Sequence, residues 1–304
     1  MSRCDICPRN CLVDRSAGQI GFCGQGTDIR VARYGLHFFE EPPISGKRGS
    51  GTIFFSGCSL RCVFCQNREI SRGEGLGKKV STSELCDIML ELQDRGAHNI
   101  NLVTPTHFAD KIKEALICVR AKGELNIPVV WNSSGYERVE VLRELEGLVD
   151  IYMPDFKYMS AELGAKYSSA ADYAEAATEA LCEMYRQVGE YSYGDDGMLR
   201  RGLLVRHLVL PGERRDSMAV LEHLAGILPA KKILLSVMSQ YTPEFAMDCQ
   251  YKNLHRRVTS FEYSSVVEFS EKLGFEGFVQ GRSSATENYT PEFNKEGDIT
   301  CRKN

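Results

Sequence analysis

The sequence lacks long apolar runs and a strong charge of either sign. No run within its 304 residues approaches the length of about 18 apolar residues that suggests a membrane helix. Residues 1–4 also lack the apolar segment of a signal peptide. The formal net charge of −4 gives no broad basic surface for nucleic acid, and the basic strip from Lys252 to Arg257 is expected to be a solvated loop. We therefore expect a cytoplasmic protein without a membrane partner, for which nucleic acid is a disfavoured partner.

The sequence also lacks the phosphate-binding pattern GxxxxGK(S/T), although glycines recur between residues 46 and 51. Residues 31–50 contain prolines and glycines, which favour a connector with turns that leads into the first strand.

Cysteine is abundant, and without a secretion signal its 12 copies argue for metal ligands rather than disulfides. Seven of them fall into two clusters. We assign no role to the five scattered ones, which are Cys86, Cys118, Cys182, Cys249 and Cys301.

Cys58, Cys62 and Cys65 form the pattern CxxxCxxC directly after the apolar run at residues 52–55. Structural zinc prefers four closed ligands, and iron–sulfur clusters are normally held by four thiolates. Three thiols leave the fourth position open, which suggests a cubane with one iron free for a small-molecule ligand. A structural zinc site that takes a distant fourth ligand is the alternative.

Four further thiols, at Cys4, Cys7, Cys11 and Cys23, lie within twenty residues of each other and suit a closed site for zinc, a single iron or a cluster. So short a segment cannot fold on its own apolar burial, but a closed metal site can contribute about 10–16 kcal/mol. We predict a metal-binding appendage within an N-terminal segment and connector at residues 1–50. The metal is either structural or redox-active, passing electrons or contacting substrate.

From residue 51 onward, apolar runs of strand length alternate with helical patterns, which predicts parallel βα units. The strands are expected at residues 52–55, 99–104, 129–132, 150–153, 203–210, 232–237 and 277–279. Helices are expected to start at the capping boxes Ser81-x-x-Glu84 and Thr259-x-x-Glu262, and residues 192–197 to form a loop. The predicted fold class is α/β, a partial (β/α)6-type TIM-like barrel at residues 51–280 with a tail at 281–304. Sites in such barrels lie at the carboxyl ends of the strands.

Several segments together resemble one family, the radical S-adenosylmethionine (SAM) superfamily, and within it the pyruvate formate-lyase activating enzyme-like subgroup. The segments that carry this resemblance are the CxxxCxxC loop, the N-terminal CxxCPRNC run, and residues 99–107, 150–157, 204–212 and 277–280. The resemblance implies that Cys58, Cys62 and Cys65 ligate a 4Fe-4S cluster whose free iron binds SAM. Phe64 fits the aromatic position of the family pattern.

The family resemblance also implies contacts to SAM. The Gly-Gly-Glu motif that holds the SAM amino group in activating enzymes is replaced here by residues 104–107, so Thr104 and Thr106 are the candidates for this contact. Asp155 and Lys157 match an Asp-x-Lys motif, with Lys157 expected on the SAM carboxylate and Asp155 on its polar groups.

Three further residues complete the implied SAM site. Arg206 matches a SAM-contacting arginine of the family, and an arginine fork suits a carboxylate. Asn132 and Ser134 end a predicted strand, where polar side chains can face the ribose. His107 and His207 are either substrate contacts or ordinary structural histidines.

The expected activity is reductive cleavage of SAM to a 5′-deoxyadenosyl radical, with an electron from a low-potential donor of the flavodoxin or ferredoxin type. The radical would abstract hydrogen either from a partner protein, as in glycyl-radical activation, or from a small molecule or other macromolecule. The alternative from a different class is a non-catalytic metal-binding or redox-sensing module.

Overall fold

The computed structural model of the protein describes residues 3–72 and 76–279. The predicted tail at 281–304, with Gln280 and Cys301, lies outside the described residues. Within the described ranges, no helix is both long and apolar enough to cross a membrane.

The described residues form ten strands and nine α-helices. The strands are β1 (Ile29–His37), β2 (Ser50–Phe55), β3 (Lys78–Val80), β4 (Ile100–Val103), β5 (Val129–Ser133), β6 (Ile151–Pro154), β7 (Ser192–Tyr193), β8 (Leu199–Leu208), β9 (Leu234–Met238) and β10 (Glu276–Val279). The helices are α1 (Pro42–Ser45), α2 (Arg68–Arg72), α3 (Thr82–Asp94), α4 (Ala109–Ala121), α5 (Val139–Arg143), α6 (Ala161–Ser168), α7 (Tyr173–Val188), α8 (Arg214–Ile227) and α9 (Ser260–Lys272).

One mostly parallel, open sheet organises these elements into an α/β fold. Its order is β10-β9-β8-β6-β5-β4-β2-β1-β3, and β7 pairs with β8 alone. The strands from β2 to β10 in this order are parallel, whereas β1 runs antiparallel to β2 and to β3. The helices between the parallel strands cover the sheet, which gives the arrangement of a partial barrel.

The strand and helix predictions from apolar periodicity are confirmed within a few residues at each end. All seven predicted strands are present, as β2, β4, β5, β6, β8, β9 and β10. Both capping boxes form: the Ser81 and Thr259 side chains accept from the backbone N–H three residues on, and Glu84 and Glu262 reach back to the cap. Each box satisfies two helix-terminal donors that would otherwise lack partners.

Three strands were not predicted. Residues 31–50 are not only a connector, because β1 occupies their first part and pairs with β2 from Val31 to His37. Strand β3 extends this antiparallel edge, and β7 forms a short hairpin with β8 inside the predicted loop at residues 192–197.

Helix α1 closes the end of the barrel where the parallel strands begin. His37 pairs with Ser50, the first residue of β2, so the chain that follows β1 emerges at this end. Ile44 of α1 is fully buried and packs against Val130, Ile151 and other residues inside the barrel. Helix α1 therefore covers the interior at the end where the parallel strands begin.

Candidate active site

The loop at residues 57–67, which we call the cysteine loop, follows β2 at the open end of the barrel. Its backbone contains two left-handed residues, Gly57 at φ 86° and Arg61 at φ 52°. This curvature turns amide groups toward sulfur, and the N–H of Leu60 lies 3.4 Å from Sγ of Cys58. Successive amides in such a curve form a concavity that favours negative charge.

Further donors reach the other thiols of the cysteine loop. The hydroxyl of Ser168, at the end of α6, donates to Sγ of Cys62 over 3.0 Å. Burial and then the neighbouring Cys62 raise the pKa of Cys65, and Lys157 acts in the opposite direction. Hydrogen bonds to sulfur and a nearby cation both stabilise thiolate ligands and tune a bound cluster.

Burial also raises the pKa of Cys58 to about 12, and charge repulsion from Cys62 and Cys65 adds to the effect. Three thiolates this close to each other would repel strongly in a buried site without a compensating cation. A positively charged iron core supplies such compensation, and its binding releases the thiol protons. In donor type, a set of three thiols, the cysteine loop therefore matches the iron–sulfur cluster that the sequence predicts.

A cavity of about 200 Å³ opens beside this loop and runs into the barrel. Cys62, Phe64 and Cys65 line its outer part. Its remaining lining includes Glu40, Asn132, Asp155, Lys157 and Arg206. Two of the three predicted cluster thiols and most of the polar residues predicted from the sequence therefore face one space, whereas Cys58 does not line it.

Arg206 on β8 joins three of these side chains. Its Nε donates to Asp155 Oδ1 (3.0 Å), its Nη1 to Glu40 Oε2 (3.3 Å) and its Nη2 to Asn132 Oδ1 (2.6 Å). Lys157 Nζ lies 2.5 Å from Asp155 Oδ2. Burial opposes the charge of Asp155, but Lys157 and Arg206 outweigh it and hold the pKa of Asp155 below its usual value. The carboxylate is therefore ionised and fixes both cations.

Glu40 is a cavity residue that the sequence analysis missed. Its Oε1 accepts from Asn101 Nδ2 (3.0 Å) and Asn132 Nδ2 (3.4 Å), and its other oxygen pairs with Arg206. No sequence motif marks this residue, because it enters the barrel from the closed end, before the first parallel strand.

Three predicted SAM contacts do not line the cavity. Thr104 directly follows β4 and has a left-handed conformation, at φ 58°. The buried Thr106 hydroxyl donates to Glu137 Oε1 over 2.8 Å, and the carbonyl of Ser134 accepts from Tyr173. Their roles toward SAM stay predictions.

Both histidines considered as substrate contacts are buried and bonded to backbone carbonyls. His107 Nε2 lies 2.7 Å from Ser56 O, and His207 Nδ1 lies 2.7 Å from Phe156 O. Burial lowers the pKa of each to about 4. Each is therefore neutral near pH 7 and can donate from the bonded nitrogen, which is the behaviour of a structural histidine.

The four-cysteine segment, residues 3–24, packs directly on the cysteine loop. The amide of Cys58 lies 3.3 Å from the carbonyl of Cys23. Arg9 donates to the carbonyls of Ser59 and Ser168, each over 2.6 Å. Ser168 is also the residue that donates to Cys62, so Arg9 connects the segment to two parts of the candidate cluster site.

The thiols of this segment lie near one another. Sγ of Cys11 and Sγ of Cys23 are both within 3.5 Å of the position that a Cβ on Gly21 would occupy, and Arg15 Nη2 lies 3.3 Å from Cys23 Sγ. Within residues 3–72 and 76–279, however, no group of three or more His, Cys, Asp or Glu side chains is arranged to hold a metal ion. The metal assignments at both cysteine clusters stay predictions.

Comparison with known proteins identifies the family. The model of the radical SAM superfamily matches residues 52–224, more than half of the chain. The chain belongs to the radical SAM superfamily.

Two curated relatives of this radical SAM protein come from Methanocaldococcus jannaschii. Uncharacterized protein MJ0674 is 29% identical over 283 residues, which cover 90% of this chain and 75% of that protein. Uncharacterized protein MJ0808 is 23% identical over 159 residues, which cover 47% of this chain and 46% of that protein.

Solved structures share the fold at low identity. A radical SAM methyltransferase from Sphaerobacter thermophilus has a TM-score of 0.52 at 16% identity, covering 76% of this chain and 66% of that chain. A domain of pyruvate-formate lyase-activating enzyme from Bacteroides vulgatus has a TM-score of only 0.41 at 12% identity, covering 57% of this chain and 92% of that chain. The first likeness supports the fold, and the second is too distant to carry an argument.

Proposed function

We propose that this radical SAM protein is an enzyme that cleaves SAM reductively and uses the resulting 5′-deoxyadenosyl radical to abstract hydrogen from a substrate. The observation that carries the proposal is the single cavity lined by Cys62, Cys65, Asp155, Lys157 and Arg206. It combines a thiol set for a cluster with fixed charges that can orient a zwitterionic cofactor.

A 4Fe-4S cluster with bound SAM would supply the electron transfer and the radical, while the protein binds, orients and excludes competing reactions. Cys58, Cys62 and Cys65 would hold the cluster. The ammonium group of Lys157, which pairs with Asp155 and interacts electrostatically with Cys62, would bind the SAM carboxylate. Asn132 also lines the cavity, and its amide would face the ribose. The closed barrel end keeps water from entering behind the substrate.

Three further assignments belong to the proposal. The thiols of Cys4, Cys7, Cys11 and Cys23 hold a second metal, zinc, iron or a cluster, against the cysteine loop. A low-potential flavodoxin- or ferredoxin-type protein in the cytoplasm supplies the electron. The substrate is either a glycyl-radical partner protein, which the enzyme would activate, or a small molecule or other macromolecule.

The test is anaerobic reconstitution with iron and sulfide, reduction with dithionite, and measurement of 5′-deoxyadenosine released from SAM. We expect release by the wild type and none above the protein-free background for Cys62→Ser, because one cluster ligand and its hydrogen bond to Ser168 are altered. Cys118→Ser, at an exposed position on α4, is the matched control and should retain activity.

Two results would contradict the proposal. One is wild-type protein that takes up iron at Cys58, Cys62 and Cys65 and yet releases no 5′-deoxyadenosine. The other is unchanged release by Cys62→Ser. Stoichiometric zinc in both cysteine clusters, without iron, would favour the non-catalytic metal-binding alternative.

A further inference from the structure

One histidine of the cavity has no hydrogen-bond partner. His37, the last residue of β1, lines the same cavity as Cys62 and Cys65. The other five of the six histidines each form at least one hydrogen bond, and these are His98, His107, His207, His223 and His255. Within residues 3–72 and 76–279, His37 alone among the histidines forms none. His107 and His207 each have one nitrogen that is buried without a partner, whereas both nitrogens of His37 are accessible. They are therefore within reach of a ligand.

The charged side chains that line the cavity are paired with one another. Arg206 pairs with both Asp155 and Glu40, and Lys157 pairs with Asp155. Burial lowers the pKa of His37 to about 4, so its ring is uncharged near pH 7. A further charge brought into this buried network would have no opposite charge reserved for it, and a buried charge without a partner is unfavourable.

The surroundings of the His37 ring are apolar. The ring meets Phe39 edge to face, with the ring centroids 5.6 Å apart, and it meets Phe54 in the same way at 6.1 Å. Both phenylalanines line the cavity, and so do Leu208 and Met238. Edge-to-face contacts of this kind hold the ring in a preferred orientation. His37 is therefore a fixed polar group within an apolar part of the lining, which is the composition typical of small-molecule sites.

We infer that His37 forms a hydrogen bond to an uncharged polar group of the substrate, a hydroxyl or a carbonyl, and that the apolar part of the substrate packs against Phe39 and Phe54. An uncharged imidazole offers one donor and one acceptor, so it can bind either group. An ionic group would find the charges of the lining already paired, and a purely apolar substrate would leave the ring nitrogens without partners. The inference rests on the proposed function, because it names the substrate class of the same cavity.

The test compares probes of similar shape: benzyl alcohol, the apolar toluene, and the charged benzylammonium and benzoate. Ligand-observed NMR titrations of anaerobic, reconstituted, unreduced protein, with and without SAM, measure their dissociation constants without turnover. We expect the wild type to bind benzyl alcohol more tightly than either charged probe.

Variants of His37 then locate the hydrogen bond. In His37→Phe, which keeps an aromatic ring but removes the nitrogens, the affinity for benzyl alcohol relative to toluene should fall about tenfold, the size of one lost hydrogen bond. His37→Gln, whose amide can also donate and accept, should retain most of the preference. His223→Phe is the matched control and should keep the wild-type ratio, because His223 on α8 bonds to Thr178 and does not line the cavity.

The ratio is taken within one variant at a time, so a partly unfolded variant lowers both affinities and leaves the ratio interpretable. Tighter binding of a charged probe than of benzyl alcohol overturns the inference, as does wild-type protein that binds none of the probes. A ratio unchanged in His37→Phe, or lowered equally in His37→Gln, also overturns it. Displacement of benzyl alcohol by SAM assigns His37 to the cofactor and has the same consequence. Wild-type protein that meets the expectation but releases no 5′-deoxyadenosine contradicts the proposed function instead.

Discussion

At the scale of single residues, the cysteine loop depends on the missing side chain of Gly57. This glycine has φ 86°, and a Cβ on it would lie 2.5 Å from the Cys23 carbonyl oxygen and 2.6 Å from Cγ of Gln25. The clash with a backbone atom cannot be relieved without separating the cysteine loop from the four-cysteine segment. The two cysteine clusters are therefore held together at a position that only glycine tolerates.

We predict that Gly57→Ala lowers both stability and iron retention. The left-handed backbone alone costs about 1–3 kcal/mol for a residue with a Cβ, and the displaced loop moves Cys58 away from Cys62 and Cys65. Urea unfolding measures the first effect, and iron bound per protein after reconstitution measures the second. Gly123→Ala is the control, because Gly123 has φ 68° and open space around its Cβ position. It should lose stability but keep its iron, and equal iron in both variants would contradict the prediction.

Some residues of the candidate site could be predicted from the sequence, and others could not. Cys62, Asp155 and Lys157 are recognisable because short motifs place them just after strands, and the carboxyl ends of parallel strands meet at one mouth. Glu40 carries no such signal. It belongs to the cavity only because α1 turns back into the closed end of the barrel, which is a tertiary feature that spacing along the chain does not encode.

At the scale of elements, the seven parallel strands were predictable because each is a compact apolar run. Strand β1 was not, since its buried residues Ile29, Val31 and Tyr34 do not alternate regularly. The pairing with β2 shifts register between Val31 and Arg33, and such a bulge breaks the period of two that identifies a strand. Strand β3 could not be recognised from the sequence either, because it has only three residues and two of them are the exposed Lys78 and Lys79.

The capping box of α9 gives a prediction about pH. Hydrogen bonds from Arg256, opposed by burial and joined by those from Thr259 and Gly212, hold the pKa of Glu262 well below its usual range. As the pH falls below the unfolded value of about 4.3, the unfolded chain binds a proton before the native protein does. The stabilisation is therefore full above that pH and is lost as the pH falls through the native pKa.

We expect the unfolding free energy of the wild type to fall more steeply with acid than that of Glu262→Gln. The wild type should lose about 1.5 kcal/mol more unfolding free energy on acidification than the variant does. This is the lower end for hydrogen bonds to a charged group, because Arg256 is 44% exposed and its charge is partly screened. Urea titrations between about pH 5 and pH 3 measure it. Glu84→Gln is the control and should show a smaller difference. Glu84 occupies the same place in the box of α3 and accepts from Ser81, but its pairing with the cation of Lys78 is long, at 3.8 Å, and exposed. Parallel acid profiles for wild type and Glu262→Gln would contradict the expectation.

At the scale of the whole molecule, Arg9 and Arg138 are two of the arginines that join the four-cysteine segment to the barrel. Arg9 binds the carbonyls of Ser59 and Ser168 beside the cysteine loop. Arg138, which follows β5, binds the carbonyl of Asp5 at the outer side of the segment. Both residues donate to backbone carbonyls. A comparison of variants at the two positions therefore distinguishes general docking of the segment from specific support of the cysteine loop.

We predict that Arg9→Ala loosens the cysteine loop, whereas Arg138→Ala does not. Removing Arg9 leaves the carbonyls of Ser59 and Ser168 without these donors, and unmatched buried carbonyls cost about 1–3 kcal/mol. Ser168 then holds Cys62 less firmly, because its hydroxyl is the donor to that sulfur. Hydrogen exchange should rise across residues 57–67 and iron retention should fall in Arg9→Ala alone. If both variants protect the loop equally, the segment docks on the barrel without supporting the cysteine loop, and the prediction is contradicted.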